Sequence, residues 1–295
     1  MSLIVSSSSN LQNPFAPFDA ALLAAFDVNV NQAIAEDVGN CDYTGLLVPE
    51  NDFVQARVIV RAPAVLCGAP WFEAVMERLD PRLRVDWQYA EGALMTADSV
   101  VCLIEGPARA LLTAERGALN FLQMLSGVAT ATRRYVDVIA GTSAHILDTR
   151  KTMPGLRLAQ KYAVRVGGGM NQRLALYDGI LIKENHIAAA GGITAAVSAA
   201  LKLNAGVSIQ VEVENLAELD EALAAGAASV LLDNFSLDMM RTAVQRTAGR
   251  AVLEASGGIN MASVREIAET GVDRISIGSL TKDIQAADFS LRIVE

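Results

Sequence analysis

Ala225-Gly226-Ala227-Ala228-Ser229-Val230-Leu231-Leu232-Asp233 and Thr270-Gly271-Val272-Asp273-Arg274-Ile275-Ser276-Ile277-Gly278 are two versions of one pattern. In each, a glycine ends a helix and a short step leads into an aliphatic strand. Working outward, the same kind of strand recurs at His145-Ile146-Leu147-Asp148, Gly179-Ile180-Leu181-Ile182-Lys183, Ser208-Ile209-Gln210-Val211-Glu212-Val213-Glu214 and Ala251-Val252-Leu253-Glu254-Ala255-Ser256. Between the strands lie Ala, Glu and Leu patterns of helical period, such as Leu216 to Ala225. Strand and helix in strict alternation build a parallel sheet with crossovers of one hand. About six units fit, fewer than the eight of a closed barrel. The expected fold class is therefore α/β, an open or incomplete TIM-like β/α barrel over residues 115–284, with a flat doubly wound sheet as the alternative.

Residues 1–114 follow another rule. A helix over about Ala20 to Asp37, an alternating strand over Gln55 to Arg61, a helix near Trp71 to Leu79 and strands near Leu83 to Tyr89 and Val100 to Glu105 describe a half-exposed sheet with helices. That is an N-terminal α+β sandwich cap, onto which a tail of about 285–295 can pack. A long helix from Thr113 to roughly Ile139, interrupted at Ser126-Gly127, is expected to join the two domains.

Composition narrows the function. The chain has 295 residues and a net charge of −9, yet residues 148–183 hold seven cations (Arg150, Lys151, Arg157, Lys161, Arg165, Arg173, Lys183) against two acids, Asp148 and Asp178. Positive charge concentrated in one segment of an acidic protein focuses small anions, whereas a polyanion needs a broad basic surface. With 5% aromatic residues there are few platforms for stacking bases, so nucleic acid is not expected as a partner. Cys41, Cys67 and Cys102 are odd in number and widely spaced, which fits reduced thiols in a cytoplasmic protein better than disulfides or a zinc site. Neither a basic leader nor an apolar stretch near 20 residues is present in the sequence, so no membrane association is expected.

The polar residues of the alternating region fall where strands end: Asp148, Arg150 and Lys151; Lys183 and Glu184; Glu212 and Glu214; Asp233; Glu254 and Ser256; Gly278 and Ser279. In β/α barrels those ends converge on one face. Ser256-Gly257-Gly258 entering a helix and Gly278-Ser279 leaving a strand can hold a phosphate on backbone N–H groups, or serve only as tight turns. Glu212 and Asp233 suit magnesium shared with substrate oxygens, or the orientation of Lys183. Arg150 and Arg173 suit bidentate carboxylate recognition. Arg157, Lys161 and Arg165 recur at about helical spacing and read as a solvated face. His145 reads as a structural residue within a strand. His186 lies near enough to Lys183 to touch substrate, with little in its position to make it a base.

Glu115-Arg116-x-Ala118-Leu119-Asn120, Leu125-Ser126-Gly127-Val128-Ala129-Thr130, Asp148-Thr149-Arg150-Lys151-Thr152-x-Pro154-Gly155, Lys161-Tyr162-Ala163, Gly167-Gly168-Gly169 and Lys183-Glu184-Asn185-His186 together resemble the quinolinate phosphoribosyltransferase family. The likeness runs on through Glu212-Val213-Glu214, Leu232-Asp233-Asn234-Phe235, Glu254-Ala255-Ser256-Gly257-Gly258 and Ile277-Gly278-Ser279-Leu280-Thr281-Lys282, covering residues 110–290. It implies conversion of quinolinate and phosphoribosyl pyrophosphate to nicotinate mononucleotide, pyrophosphate and CO2, with magnesium, in NAD synthesis. It also implies a homodimer or higher even oligomer in which Arg116 completes the neighbouring site. Arg150, Lys151 and Arg173 match positions that bind the pyridine dicarboxylate, with Gln172 beside them. Lys183, Glu212 and Asp233 match those facing ribose, pyrophosphate and metal. The Ser256-Gly257-Gly258 and Gly278-Ser279 loops match the 5′-phosphate site. The catalytic set so implied is Lys151, Lys183, Glu212 and Asp233, with Glu212 and Asp233 toward the metal.

One position departs from the family. Many members have Asn-His-Arg where this chain has Asn171-Gln172-Arg173, and an amide can donate a hydrogen bond but cannot become cationic. Rival readings are a barrel lyase with Lys151 or Lys183 as a Schiff-base lysine, a phosphoribosyltransferase with another acceptor, and a non-catalytic sensor of the same ligands. Lys183, Glu212 and Asp233 together favour turnover, since a sensor has no use for leaving-group machinery.

Overall fold

A computed structural model describes residues 9–294. They fall into two compact units: residues up to Ala131 with Met153–Gly167 and the chain from Asp283 onward, and Thr132–Thr152 with Gly168–Lys282.

The first unit holds α1 (Ala20–Asp37), β1 (Phe53–Val60), β2 (Ala64–Val65), α2 (Ala69–Leu79), β3 (Arg84–Trp87), β4 (Leu94–Met95), β5 (Val100–Pro107), most of α3 (Ala108–Val138), α4 (Arg157–Val166) and β12 (Phe289–Val294). Its antiparallel sheet runs β12-β1-β5-β3, with Val58 opposite both Leu291 and Cys102. On β1, Ala56, Val58 and Val60 are buried while Gln55 and Arg57 stay exposed, the alternation of a half-covered sheet. The core joins these residues to Trp71, Phe72 and Met76 of α2, Leu119, Leu122 and Leu125 of α3, and Tyr162 of α4. These contacts carry the unit past the expected boundary at residue 114.

Three expectations need correction here. The α3 helix is unbroken at Ser126-Gly127. Ser126 Oγ instead bridges the Cys67 backbone, accepting from its N–H and donating to its carbonyl at 3.0 Å each. A Cβ on Gly127 would lie 2.3 Å from the Gln285 carbonyl oxygen, so the glycine permits close packing rather than a break. Lys161 is not on a solvated face: α4 is buried on nearly every side, and Lys161 is only 1% exposed while Arg165 remains at the surface. His145, at the start of β6 (His145–Leu147), is exposed rather than enclosed.

Glu91 is also buried in this unit. Its carboxylate accepts from the Gly68 and Ala69 N–H groups at 2.8 and 3.2 Å, at the start of α2, and from the Tyr162 hydroxyl at 2.9 Å. Burial outweighs these donors and pushes its pKa up to about 7.

The second unit contains β6, β7 (Gly179–Ile182), α5 (Glu184–Ala190), α6 (Ile193–Leu203), β8 (Ser208–Val213), α7 (Leu216–Ala224), β9 (Ser229–Asp233), α8 (Leu237–Thr247), β10 (Val252–Ser256), α9 (Val264–Ala268), β11 (Arg274–Ser276) and α10 (Ser279–Lys282). The sheet is parallel throughout, in the order β6-β11-β10-β9-β8-β7. The edge strands β6 and β7 do not pair with each other, and Met170 forms a single parallel bridge to Leu147. This is the open β/α array expected from the repeat. Gly226 and Gly271, the glycines that reveal the repeat, take left-handed φ of +85° and +91° after α7 and α9.

Register separates the two faces of this sheet. Glu212 and Glu254 both lie opposite Leu231, and Glu254 lies opposite Arg274. With a period of two, Gln210, Glu212, Ser229, Asp233, Glu254, Ser256, Arg274 and Ser276 therefore share one face. The other carries Ile146, Ile182, Val211, Val213, Val230, Leu232, Leu253, Ala255 and Ile275, all buried. Among the described residues no single helix is long and apolar enough to cross a membrane.

Candidate active site

The polar face is assembled at strand ends from the residues its period selects. Lys183 follows β7 and caps α5. Its Nζ donates to Glu212 Oε2 at 2.7 Å, and its backbone N–H donates to His186 Nδ1 at 3.0 Å. His186 thus closes a capping box from the third helical position, a role usually filled by Glu or Gln. Its visible work is to hold the backbone of Lys183.

Beside this pair, Asp233 ends β9 and accepts from Asn234 Nδ2 at 2.8 Å. Asn234, at φ +56°, donates its N–H to the Ser256 carbonyl at 2.9 Å. Gly257 then turns at φ +99°, and a Cβ there would stand 2.1 Å from Asn234 Oδ1. The Ser256-Gly257-Gly258 turn is therefore tied to the β9 end, and the glycine is required by both backbone and space. After β11, Gly278 packs against Lys151: a Cβ on it would meet Lys151 Cδ at 3.1 Å. The Lys151 carbonyl accepts from Thr281 Oγ1 at 2.7 Å, which fixes the loop after β6 to α10.

The loop at residues 170–173 is anchored from below. Asp148 is fully buried and accepts from Asn171 Nδ2 at 2.6 Å and from the Gln172 N–H at 2.9 Å. It organises the loop rather than facing substrate. Arg173 Nη1 donates to the Gly179 carbonyl at 2.8 Å. Burial lowers the Arg173 pKa, and the charge of Arg150 lowers it further. The nearby Arg150 has a buried Nε without a hydrogen-bond partner. Two guanidinium groups that repel each other, one with an unused buried donor, form a place prepared for anionic oxygens.

Gln172 Nε2 donates to Gln210 Oε1 at 2.8 Å, and Gln210 Nε2 donates to Glu254 Oε2 at 2.9 Å. Gln172, Arg173 and Gln210 line a cavity of ≈ 520 Å³ together with Arg274. Glu254 is not at a strand end but in the middle of β10, fully buried, with its pKa raised by desolvation. Sequence reading missed Gln210. The signal for it was present in Ser208–Glu214, where Gln210, Glu212 and Glu214 fall on every second position of an otherwise aliphatic strand.

For a metal, Glu212 and Asp233 are a two-carboxylate set. No group of three or more His, Cys, Asp or Glu that could hold an ion occurs among the described residues. Two carboxylates fit magnesium that draws its remaining ligands from water and a substrate's phosphate oxygens. An opening of ≈ 330 Å³ is lined by Glu212 together with Glu184, Glu214, Glu218 and Glu221, an acidic surrounding that without a bound cation repels a phosphate.

Family models decide the assignment. The quinolinate phosphoribosyl transferase N-terminal domain matches residues 42–126 and the C-terminal domain matches residues 128–292. The chain belongs to the quinolinate phosphoribosyltransferase family. It is 41% identical to a probable nicotinate-nucleotide pyrophosphorylase (carboxylating) of Synechocystis, over 90% of this chain and 91% of that protein. A protein of the same name from Bacillus subtilis is 39% identical, covering 90% and 92%. The solved nicotinate-nucleotide pyrophosphorylase of Francisella tularensis superposes with a TM-score of 0.89 at 45% identity, covering 92% of this chain and 96% of that one.

Of the residues expected at the site, Arg150, Lys151, Gln172, Arg173, Lys183, Glu212, Asp233, Ser256, Gly257, Gly258, Gly278 and Ser279 all lie in the second unit, with Lys183, Glu212, Asp233 and Ser256 at or next to the C-terminal ends of their strands and Arg173 beside Gly179 at the start of β7. Arg116 belongs to the first unit, exposed on α3.

Proposed function

We propose that this chain transfers the phosphoribosyl group of phosphoribosyl pyrophosphate to quinolinate with decarboxylation, giving nicotinate mononucleotide, pyrophosphate and CO2 for NAD synthesis. The observation that carries this reading is the presence of two functions in the second unit: the mutually repelling Arg150 and Arg173, and the cation Lys183 held at 2.7 Å by Glu212. The first suits a planar dicarboxylate and the second a leaving pyrophosphate.

Arg150, Arg173 and Lys151 bind the pyridine carboxylates, with the Gln172 amide beside them, and fix the ring nitrogen toward the ribosyl carbon. As the bond to pyrophosphate breaks, Lys183 takes up negative charge on the departing oxygens while Glu212 keeps the ammonium in place. Ser256, Gly257, Gly258, Gly278 and Ser279 hold the 5′-phosphate on backbone N–H and hydroxyl groups. Glu212 and Asp233 would hold magnesium, which when bound would add charge neutralisation at the pyrophosphate. The new N–C bond leaves the ring cationic. The ring then accepts the electron pair released when the adjacent carboxylate departs as CO2, and a proton replaces it at that carbon. No covalent enzyme intermediate is needed. In this reading the protein is a cytoplasmic homodimer or higher even oligomer, with Arg116 reaching the neighbouring subunit's substrate.

Incubation with quinolinate, phosphoribosyl pyrophosphate and magnesium tests it. Nicotinate mononucleotide is expected, with formation abolished in Arg150→Ala. Quinolinate binding without turnover would make the protein a sensor, and borohydride trapping of a substrate on Lys151 or Lys183 would make it a lyase.

A further inference from the structure

Lys183, Asp233 and Ser256 stand at the carboxyl ends of the parallel strands. At the opposite end, the first residues of five neighbouring strands, Gly179, Ser208, Ser229, Val252 and Arg274, line the ≈ 520 Å³ cavity. Strand β9 begins at Ser229 and closes at Asp233, and at about 3.3 Å per residue those two positions lie roughly 13 Å apart. The cavity has the size of a small-ligand pocket.

Its lining differs from that of a packed barrel, whose interior is filled by layers of bulky branched side chains. Here a glycine and two serines take places where Val, Ile or Leu would close the layer. Neither serine hydroxyl has a hydrogen-bond partner among the described residues. Arg274 is half-buried, and its guanidinium likewise makes no hydrogen bond or ion pair with them. Its charge offsets part of the burial of Glu254, its partner in register, without pairing with it. The other charged side chains on the wall are engaged. Asp178 accepts from the Leu174 and Ala175 N–H groups at 2.8 and 2.7 Å, and Arg173 Nη1 donates to the Gly179 carbonyl at 2.8 Å. Leu147, Ile180, Leu181, Ile209 and Val252 supply apolar wall.

One uncommitted guanidinium matches one negative charge, and its planar fork fits a carboxylate through two parallel hydrogen bonds. The free hydroxyls can complete the polar contacts, and the aliphatic wall favours an apolar body. We propose that this amino-end cavity is a second ligand site, separate from the strand ends that carry Lys183, Glu212 and Asp233, and that it takes a small monocarboxylate with an apolar body through Arg274, Ser208 and Ser229. The site goes beyond the quinolinate reading and holds whichever reaction the carboxyl ends perform.

The test is methyl NMR on the full chain with hexanoate as the probe, since Leu147, Ile180, Ile209 and Val252 place reporter methyl groups in the wall. Hexanoate at millimolar concentration is expected to shift those signals saturably while Ile182 and Ile277, at the carboxyl ends, stay in place. Hexanol lacks the charge and inorganic phosphate lacks the apolar body, so each should bind about tenfold more weakly or worse. Arg274→Met should abolish the shifts. Ser229→Leu, which fills the cavity, should abolish them too and makes the same test if Arg274→Met does not fold. In both variants kcat should stay within about twofold, because barrel chemistry lies at the other end. The proposal is overturned by the absence of a saturable shift, by shifts centred on Ile182 and Ile277, by equal binding of hexanol or phosphate, or by binding that survives either substitution. A loss of kcat in step with hexanoate binding would also overturn it, as would quinolinate moving the same wall signals and displacing hexanoate, since the cavity would then belong to the acceptor.

Discussion

Lys183 Nζ and Glu212 Oε2 stand 2.7 Å apart, with the lysine side chain 48% exposed and the glutamate 14%. An ion pair so open to water contributes only about 0–1 kcal/mol to stability, so its value lies in where it holds the ammonium. Lys183→Met should leave the melting temperature within about 2 °C and lower kcat on the order of a hundredfold or more. Thermal melts and initial rates on one preparation check this. A large loss of stability with kcat intact would assign the pair to the fold instead.

His186 should behave as a cap. Its Nδ1 accepts from the Lys183 N–H, a bond that a glutamine at the same helical position can also make. Accordingly, His186→Gln is expected to retain most of kcat while His186→Ala loses roughly three- to tenfold, an effect of about 1 kcal/mol. Loss of activity in both variants alike would point to chemistry at the imidazole.

Gly257→Ala places a methyl group 2.1 Å from Asn234 Oδ1 in a residue at φ +99°. Strain at such a position costs roughly 1–3 kcal/mol, and relief must displace the Ser256-Gly258 turn. Denaturant unfolding should show that loss, and the KM for phosphoribosyl pyrophosphate should rise more than the KM for quinolinate. An equal rise in both would remove this turn from the phosphate site.

Glu91 should make stability depend on pH. Its pKa is about 7 in the folded chain against an ordinary 4.5. Below pH 4.5 both folded and unfolded chains hold the proton. Between 4.5 and 7 the unfolded chain releases it first, so stability falls as pH rises through that window and levels off above it. At ~1.4 kcal/mol per tenfold in proton affinity the fall amounts to on the order of 3 kcal/mol. Melting temperatures from pH 4.5 to 8 should show a shallower decline in Glu91→Gln than in the wild type. Identical slopes would contradict a buried, protonated Glu91.

Much of this was legible in the sequence because it depends on local constraint. Gly226 and Gly271 announce helix ends that only a left-handed residue completes easily, and the strands after them follow. Lys183, Glu212 and Asp233 stand out as polar residues closing aliphatic strands. Less legible were features set by what lies across from a residue. Glu254 looked like a strand-end acid, and only the β9 and β11 registers put it mid-sheet against Leu231 and Arg274. Gln210 showed only as a polar residue in the alternation of β8, since its partners come from 38 and 44 positions away in the chain. Lys161 had the spacing of a surface cation, but α4 buries Gln160 and Lys161 along with its apolar residues. Ser126-Gly127 looked like a break because local propensity cannot see the Gln285 backbone that the glycine admits.

The central claim is that ribosylation of the pyridine nitrogen and loss of its neighbouring carboxylate occur in one turnover on this chain. Quinolinate labelled at the carboxyl carbon beside the ring nitrogen, with phosphoribosyl pyrophosphate and magnesium, should release labelled CO2 and form nicotinate mononucleotide in a 1:1 ratio. No CO2 should appear without the ribosyl donor, and nicotinate should give no product. A product that keeps both carboxylates, CO2 release without ribosylation, or equal use of nicotinate would contradict it.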